Sequence, residues 1–313
     1  MIQVPPIFKN EALQALYDRQ GYVQLQLFNE AEIASLTELF YRYHPEVPDD
    51  RFMSDSYSSD AAFKKQASIS ITEYFLPKFE EHLKDYTPFG SSFLYKTPGK
   101  GSELAMHQDW TIVDETKYQA LNIWVPLCDA DEHNGALYVL PGSHLHILPL
   151  RAPTLPFFFS GNESMLMPYL QPMHSKAGQA VILNQRLIHY SPPNLSDRIR
   201  IAITSGVKTK DAQMVFHYKA PDNKDDTVEV YEQDDDFLIS FNNFYSDIMM
   251  RPYLGRRIAD KQYRIPSFNN EELASLLEKM RLSAGSPAIA QPSKASAEQD
   301  NNLWQKIRKL MTI

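Results

Sequence analysis

The chain has 313 residues, 43% of them hydrophobic and 22% charged, with a net charge of −8. That composition excludes a largely disordered chain and supports one large folded domain with a sizeable core. The acidic balance argues against general nucleic-acid or anionic-membrane binding, and the one cysteine, Cys128, excludes an internal disulfide or a thiolate zinc cluster. No apolar run reaches the roughly 18 residues of a membrane span, and the opening Met1-Ile-Gln-Val-Pro-Pro lacks the basic-then-apolar order of a signal peptide. The expectation is a soluble cytoplasmic protein without nucleic-acid or membrane partners.

From Gly21 to Leu27, Val23, Leu25 and Leu27 alternate with Tyr22, Gln24 and Gln26, which predicts a half-buried strand. Asn29, followed by Glu30 and Glu32, reads as a helix N-cap, and Ile33, Leu36, Leu39 and Phe40 continue at helical spacing. A second helical stretch runs from about Asp60 to Tyr86, with Pro77 predicted to break or kink it. From Ser91 to Tyr218 short β-rich runs dominate: Phe93–Tyr95, Leu121–Val125, Ala136–Leu140 (ended by Pro141-Gly142), Ala180–Leu183, Ile199–Val207 and Gln213–Tyr218. Helices precede the strands rather than alternating with them. The expected fold is therefore mainly β with flanking helices, around an antiparallel jelly-roll (double-stranded β-helix, cupin-like) core.

Beyond Tyr218 the pattern weakens. Asp222 to Asp236 is acidic, and Asp234-Asp235-Asp236 reads as a solvated loop. Leu273, Leu276, Leu277 and Met280 predict a further helix, while Ser283 to Asn301 has linker composition. Leu303, Trp304, Ile307, Leu310 and Met311 share one helical face. The expected organisation is a domain over 1–282 (core about 89–220, C-terminal addition about 221–282), a linker over 283–301, and an amphipathic helix over 302–313 that docks on this chain or on a second copy. No internal repeat is visible.

Two of the nine histidines stand out. In His107-Gln-Asp109 an imidazole and a carboxylate sit two residues apart, and on a strand such residues share a face. His189 follows a β-rich run and precedes Ser191-Pro-Pro-Asn194, so it can supply a third ligand. Two histidines and a carboxylate on one face of a metal form the triad of non-haem Fe(II) oxygenases, and facing strands of a small barrel can aim all three into its mouth. Arg198 and Arg200 flank Ile199, and alternation places both on one face. An arginine among apolar residues calls for an anionic partner, and a dicarboxylate that chelates iron at one end needs such a clamp at the other. His144 and His146 are also spaced by two, but they read as structural, as do His174 and His217.

These motifs, in this order from Gly21 to Val207, resemble the phytanoyl-CoA dioxygenase family of Fe(II)/2-oxoglutarate oxygenases. Asp18-Arg-Gln-Gly-Tyr-Val resembles its opening strand, and His107-Gln-Asp109 its metal motif. Ala120-Leu-Asn-Ile-Trp124-Val-Pro-Leu and Asn134-Gly-Ala-Leu through Pro141-Gly-Ser-His144 resemble its next strands. Ala177-Gly-Gln-Ala and His189-x-Ser191-x-x-Asn194-x-Ser196, with Arg200, resemble its closing segment. The resemblance implies that His107, Asp109 and His189 hold Fe(II). It also implies that Arg200, helped by Ser191, binds the distal carboxylate of 2-oxoglutarate, and that Trp124 lines the cosubstrate pocket. Phe93 falls where the family has a cosubstrate-contacting strand residue, and there it offers packing only. Asp109 is present where the family's halogenases lack a carboxylate, so O2-dependent hydroxylation of a small natural-product or amino-acid-like molecule is expected, with release of succinate and CO2. Desaturation, epoxidation and cyclisation use the same ligands. Trp110 is a candidate substrate wall, and Arg186 a candidate partner for a substrate carboxylate. A non-catalytic binding protein and a cupin-like metal-dependent isomerase without 2-oxoglutarate are the alternatives. Arg200 and Ser191 argue against the latter, which needs no dicarboxylate clamp.

Overall fold

A side-chain period of two along the strands sets the architecture. The computed structural model describes residues 4–146, 149–222 and 225–285. Its strands are β1 (Tyr22–Gln26), β2 (Phe52–Ser54), β3 (Tyr86–Lys96), β4 (Leu104–His107), β5 (Ala120–Pro126), β6 (Leu137–Val139), β7 (Gln171–Met173), β8 (Gln179–Asn184), β9 (His189–Ser191), β10 (Arg200–Thr209), β11 (Met214–Tyr218), β12 (Thr227–Gln233) and β13 (Arg257–Gln262). The helices are α1 (Glu11–Gln20), α2 (Glu30–Tyr43), α3 (Ala61–His82), the one-turn α4 (Ser143–His146), α5 (Glu163–Leu166) and α6 (Phe244–Asp247), and α7 (Asn270–Ala284). The strands form three antiparallel sheets: a large one in the order β1-β8-β5-β10-β3-β2, a small one in the order β4-β9-β6-β7, and a third of β11-β12-β13.

Alternation decides which residue faces which layer. Leu121, Ile123 and Val125 of β5, Ala180 and Ile182 of β8, and Ile201 and Ile203 of β10 join Tyr17, Phe40, Ile71, Phe75 and Phe79 from α1 to α3 in the main core. The intervening Trp124, Val181, Leu183 and Ala202 instead meet Leu137, Val139 and Met173 of the small sheet. The two sheets thus face each other. On the far side of the small sheet, Leu273, Leu277 and Met280 of α7 pack with Leu140, Ile188 and Tyr190. This is the expected mainly β jelly-roll core with flanking helices, and the described sheets do not close into a barrel.

The predicted start of α2 is found as a full capping box: Asn29 accepts from the Glu32 N–H, and Glu32 accepts from the Asn29 N–H. Gly21 ends α1 in the left-handed region at φ 85°, with its N–H donated to the Tyr17 carbonyl. Pro77 does not break the second helix, which begins after its Asp60 cap and runs unbroken to His82. An interior proline costs about 3 kcal/mol. Phe75 and Phe79, buried and stacked at 5.2 Å, flank it, and each contributes about 1.5–3 kcal/mol by burial, enough to hold both halves in line. Within the acidic 222–236 stretch, Thr227–Gln233 forms β12 with Val228 and Val230 buried, and the Asp234–Asp236 run is exposed outside any strand, as are Asp222, Asp225 and Asp226. The helix expected around Leu273 runs to Ala284, just into the expected linker, while residues 286–313, including the amphipathic helix expected over 302–313, lie outside the described residues.

Candidate metal centre and cosubstrate pocket

The pairing of β4 with β9 sets His107 opposite His189, with ring centroids 4.1 Å apart. β4 ends at His107, so strand alternation does not place Asp109. A crossing strap does. Arg151 Nε donates to the Asp109 carbonyl at 2.7 Å, and the Thr111 N–H donates to the Arg151 carbonyl at 2.9 Å. The Asp109 Oδ1 then lies 3.9 Å from the Nε2 of each histidine. One ligand atom from each of His107, Asp109 and His189 lies within 4.8 Å of the others, the dimensions of a single-ion site.

The surrounding hydrogen bonds fix the donor set. Nδ1 of His107 and of His189 lies 2.8 Å and 2.9 Å from the carbonyls of Ala105 and Leu187. A carbonyl only accepts, so each Nδ1 carries the proton and each Nε2 lone pair is left for a metal. Asn122 Nδ2 donates to Asp109 Oδ2 at 3.3 Å, and the Thr204 hydroxyl donates to Asn122 Oδ1. Burial, then the neighbouring His189 ring, pushes the His107 imidazole down to about 4, so it is in its ligating neutral form at neutral pH.

A cavity of about 460 Å³ opens beside these residues. Arg200, at the start of β10, lines it and is 2% exposed. Its Nε and Nη1 have no hydrogen-bond partner, and its guanidinium carbon lies 5.5 Å from the Trp124 ring centroid. Burial pushes Arg200 down to about 10, so the group stays protonated at neutral pH. An enclosed cation without an acidic partner is costly, and this one fits a carboxylate arriving from the cavity. Lys96, opposite Arg200 in the sheet, is already engaged by the carbonyls of Ser191 and Pro192 at 2.8 Å and 2.5 Å. Burial, then Arg200, pushes it down to about 6, so it is mostly neutral at neutral pH and does not compete for the anion. Ser191 lines the cavity, but its hydroxyl proton goes to the Gly135 carbonyl at 2.8 Å, leaving only acceptor capacity.

The structure brings His107, Asp109, His189, Arg200, Ser191, Trp124 and Trp110 to this one cavity. Three expectations are corrected. Phe93 points the other way, into the main core against Phe40, and its neighbours Ser92 and Leu94 face the cavity. Arg198 precedes β10 and its side chain is 91% exposed, so it shares no face with Arg200. Arg186 is not free for a substrate: its Nε lies 3.1 Å from Glu115 Oε2 and its Nη2 donates to the Glu115 carbonyl. Burial alone would raise the Glu115 carboxyl, but Arg151 and Arg186 together hold it below the usual carboxylate range. His144 and His146 do not converge. The first contacts the Asp18 carbonyl and the second Ser283. His217 is buried with Nδ1 on the Thr111 carbonyl, and His174 is at the surface near Glu132. Asn122 and Arg151 were not singled out from the sequence. Asn122 carried a signal, a polar residue in an apolar run at the same parity as Trp124, whereas Arg151 carried none.

The sequence profile of the phytanoyl-CoA dioxygenase (PhyH) family matches residues 17–202, more than half of the chain. The chain belongs to that family. A phytanoyl-CoA dioxygenase of Arabidopsis thaliana is 26% identical over 189 residues, 51% of this chain and 65% of that protein. The phytanoyl-CoA dioxygenase domain-containing protein 1 of Danio rerio is 34% identical over 122 residues, 36% of this chain and 42% of that protein. The match thus spans less than two thirds of the length of these relatives. Among solved structures, the non-haem α-ketoglutarate-dependent carbocyclase SnoK of nogalamycin biosynthesis is 18% identical, with a TM-score of 0.47 over 66% of this chain and 86% of its own. HygX of Streptomyces hygroscopicus, solved with nickel and 2-oxoglutarate, is 18% identical, with a TM-score of 0.47 over 63% of this chain and 86% of its own. No helix among the described residues is long and apolar enough to cross a membrane.

Proposed function

We propose that this chain is an Fe(II)- and 2-oxoglutarate-dependent dioxygenase that hydroxylates an unactivated C–H bond of a small molecule. The carrying observation is the pairing, in one cavity, of a two-histidine, one-carboxylate cluster with an enclosed guanidinium that has no acidic partner. The donor set suits Fe(II), and the orphaned guanidinium suits a dicarboxylate held at its far end. Bound iron would supply dioxygen activation coupled to oxidation of 2-oxoglutarate to succinate and CO2, one oxygen atom going to the substrate. His107 and His189 would ligate through Nε2, and Asp109 through Oδ1 with Asn122 steadying its other oxygen. Arg200 would take the distal carboxylate, with Trp124 beneath the guanidinium, while the Ser191 hydroxyl, its proton given to the Gly135 carbonyl, has none left to donate to that carboxylate. The apolar walls keep water from the reacting atoms. Asp109 occupies the position a halide would need, which favours hydroxylation over halogenation.

The test is an anaerobic titration of the protein with Fe(II) and then 2-oxoglutarate, beside an Arg200→Ala control. The reading expects the weak visible charge-transfer band of the chelated cosubstrate, shifted to much higher 2-oxoglutarate in the control, and succinate release once O2 and a substrate are supplied. Iron binding without the band would point to an isomerase-like use of the metal. Absence of iron binding would point to a non-catalytic binding protein.

A further inference from the structure

Charge is distributed unevenly around the cavity. Among the described residues its charged and ligating lining groups are His107, Asp109, His189 and Arg200, and on the reading above all four are committed to iron and 2-oxoglutarate. Basic side chains close to it are engaged elsewhere. Arg186 and Arg151 bind Glu115, Lys96, mostly neutral, binds two backbone carbonyls, and Lys64 donates to the Phe241 carbonyl. What remains, apart from the amides of Gln108 and Gln185, whose Oε1 atoms are buried without a partner, is mainly a wall of rings and alkyl groups. Trp110 lies parallel to Phe244 (interplanar angle 10°, centroids 6.0 Å apart), and Tyr57 leans on Phe244 at 4.8 Å. Leu238, Ile239 and Ile248 extend that wall. The serines of the facing side are spent on each other: Ser54 on Ser56 and Ser92, and Ser91 on Ser205.

We propose that the part of the substrate entering this cavity is uncharged and largely apolar, a ring-bearing molecule laid against Trp110, Phe244 and Tyr57. A carboxylate or phosphate group there would be buried without a cationic partner among the described residues, and an ammonium would meet only the neutral amide oxygens of Gln108 and Gln185, which costs several kcal/mol, whereas aromatic faces favour a ring by stacking. The inference rests on the oxygenase reading only in reserving Arg200 for 2-oxoglutarate. It replaces the amino-acid-like substrate suggested by Arg186, whose guanidinium is tied to Glu115. Leu238, Ile239, Phe244 and Ile248 come from beyond the family-matched residues 17–202, so part of this wall belongs to a segment outside the family profile.

The experiment uses three probes of one shape, 2-naphthol, 2-naphthoate and 2-naphthylmethylammonium, titrated anaerobically by calorimetry into protein holding Fe(II) and 2-oxoglutarate. The expected result is binding of 2-naphthol at least about tenfold tighter than either charged probe. Phe244→Ala should weaken the naphthol. Ile248→Lys, a milder change at the cavity edge, should improve naphthoate relative to naphthol. Equal or tighter binding of a charged probe would overturn the inference, as would no binding of any probe to their solubility limits. The charge-transfer band in the same samples reports on the oxygenase reading separately, so a missing band with naphthol still preferred would sink that reading and leave the substrate class standing.

Discussion

The two ends of the cavity are built by different means. At the metal end, each functional side chain is held by hydrogen bonds to backbone carbonyls or by a polar neighbour on the facing sheet: His107 by Ala105, His189 by Leu187, Asp109 by Asn122. At the mouth, Trp110 and Phe244 are held by ring packing, and Tyr57 by ring packing and a hydrogen bond shared with Tyr245, on segments between strands. Directional bonds fix ligand atoms to within the tolerance of a metal. Ring packing fixes only shape, and so leaves the substrate free to differ between chains with the same metal end.

The largest expected effect breaks the metal end outright. His107→Ala or His189→Ala should lower Fe(II) affinity by more than about 100-fold and abolish succinate release. Retained iron binding in either variant, measured by anaerobic equilibrium dialysis, would remove that histidine from the ligand set.

Next, Arg200→Ala removes the clamp and leaves the ligands alone. The half-saturating 2-oxoglutarate concentration should rise about 100-fold, the value of a buried charge-assisted bidentate pair at about 3 kcal/mol, with Fe(II) affinity nearly unchanged. An unchanged 2-oxoglutarate requirement would mean that the guanidinium serves something else.

Arg151→Met asks whether the metal end depends on its strap. Arg151 links Glu115 to the Asp109 carbonyl, and its side chain is 1% exposed. Breaking a buried pair costs about 3–5 kcal/mol of stability, and loosening Asp109 should weaken Fe(II) by about 10-fold. A Co(II) spectrum identical to that of the unsubstituted protein would show that the strap only stabilises the fold.

The smallest effect is on stability against pH. Burial, then Lys261, pushes His217 down to about 4. The unfolded chain binds its proton near 6.5, so the unfolded state carries more protons between those values. The stabilisation is complete above about 6.5 and is lost as pH falls towards 4, to a limit of about 3 kcal/mol. His217→Gln should flatten the urea midpoint across that window, and an equal slope in both proteins would show that other groups dominate.

The sequence made the metal end legible and the mouth opaque, for the same physical reason. Alternation along β5, β8 and β10 announces buried faces, and the short spacing in His107-Gln-Asp109 keeps its ligands together whatever the local backbone does. Phe93 falls at a cosubstrate position by resemblance, but its parity is that of Tyr95, and both point into the main core. Arg186 reads as a candidate substrate partner because its actual partner, Glu115, lies 71 residues earlier in the chain. Nothing local announces such a pairing. The segment from Phe237 to Ile248 gains its role only by tertiary contact with Trp110 and Tyr57, and the charged residues around β12 hid two buried valines.

The pairing of β1 with β8 sets Tyr22 beside Leu183 and Gln26 beside Gln179. The earliest strand of the chain therefore waits for one made some 160 residues later. At about 5–20 residues per second, that is roughly 8–30 s of synthesis. During that interval Val23 and Leu25 lack their partner strand, while α1 and α2 can already form from local contacts. Long-range strand pairing of this kind slows folding, so a newborn chain will spend its most aggregation-prone moments with its first strand still unpaired.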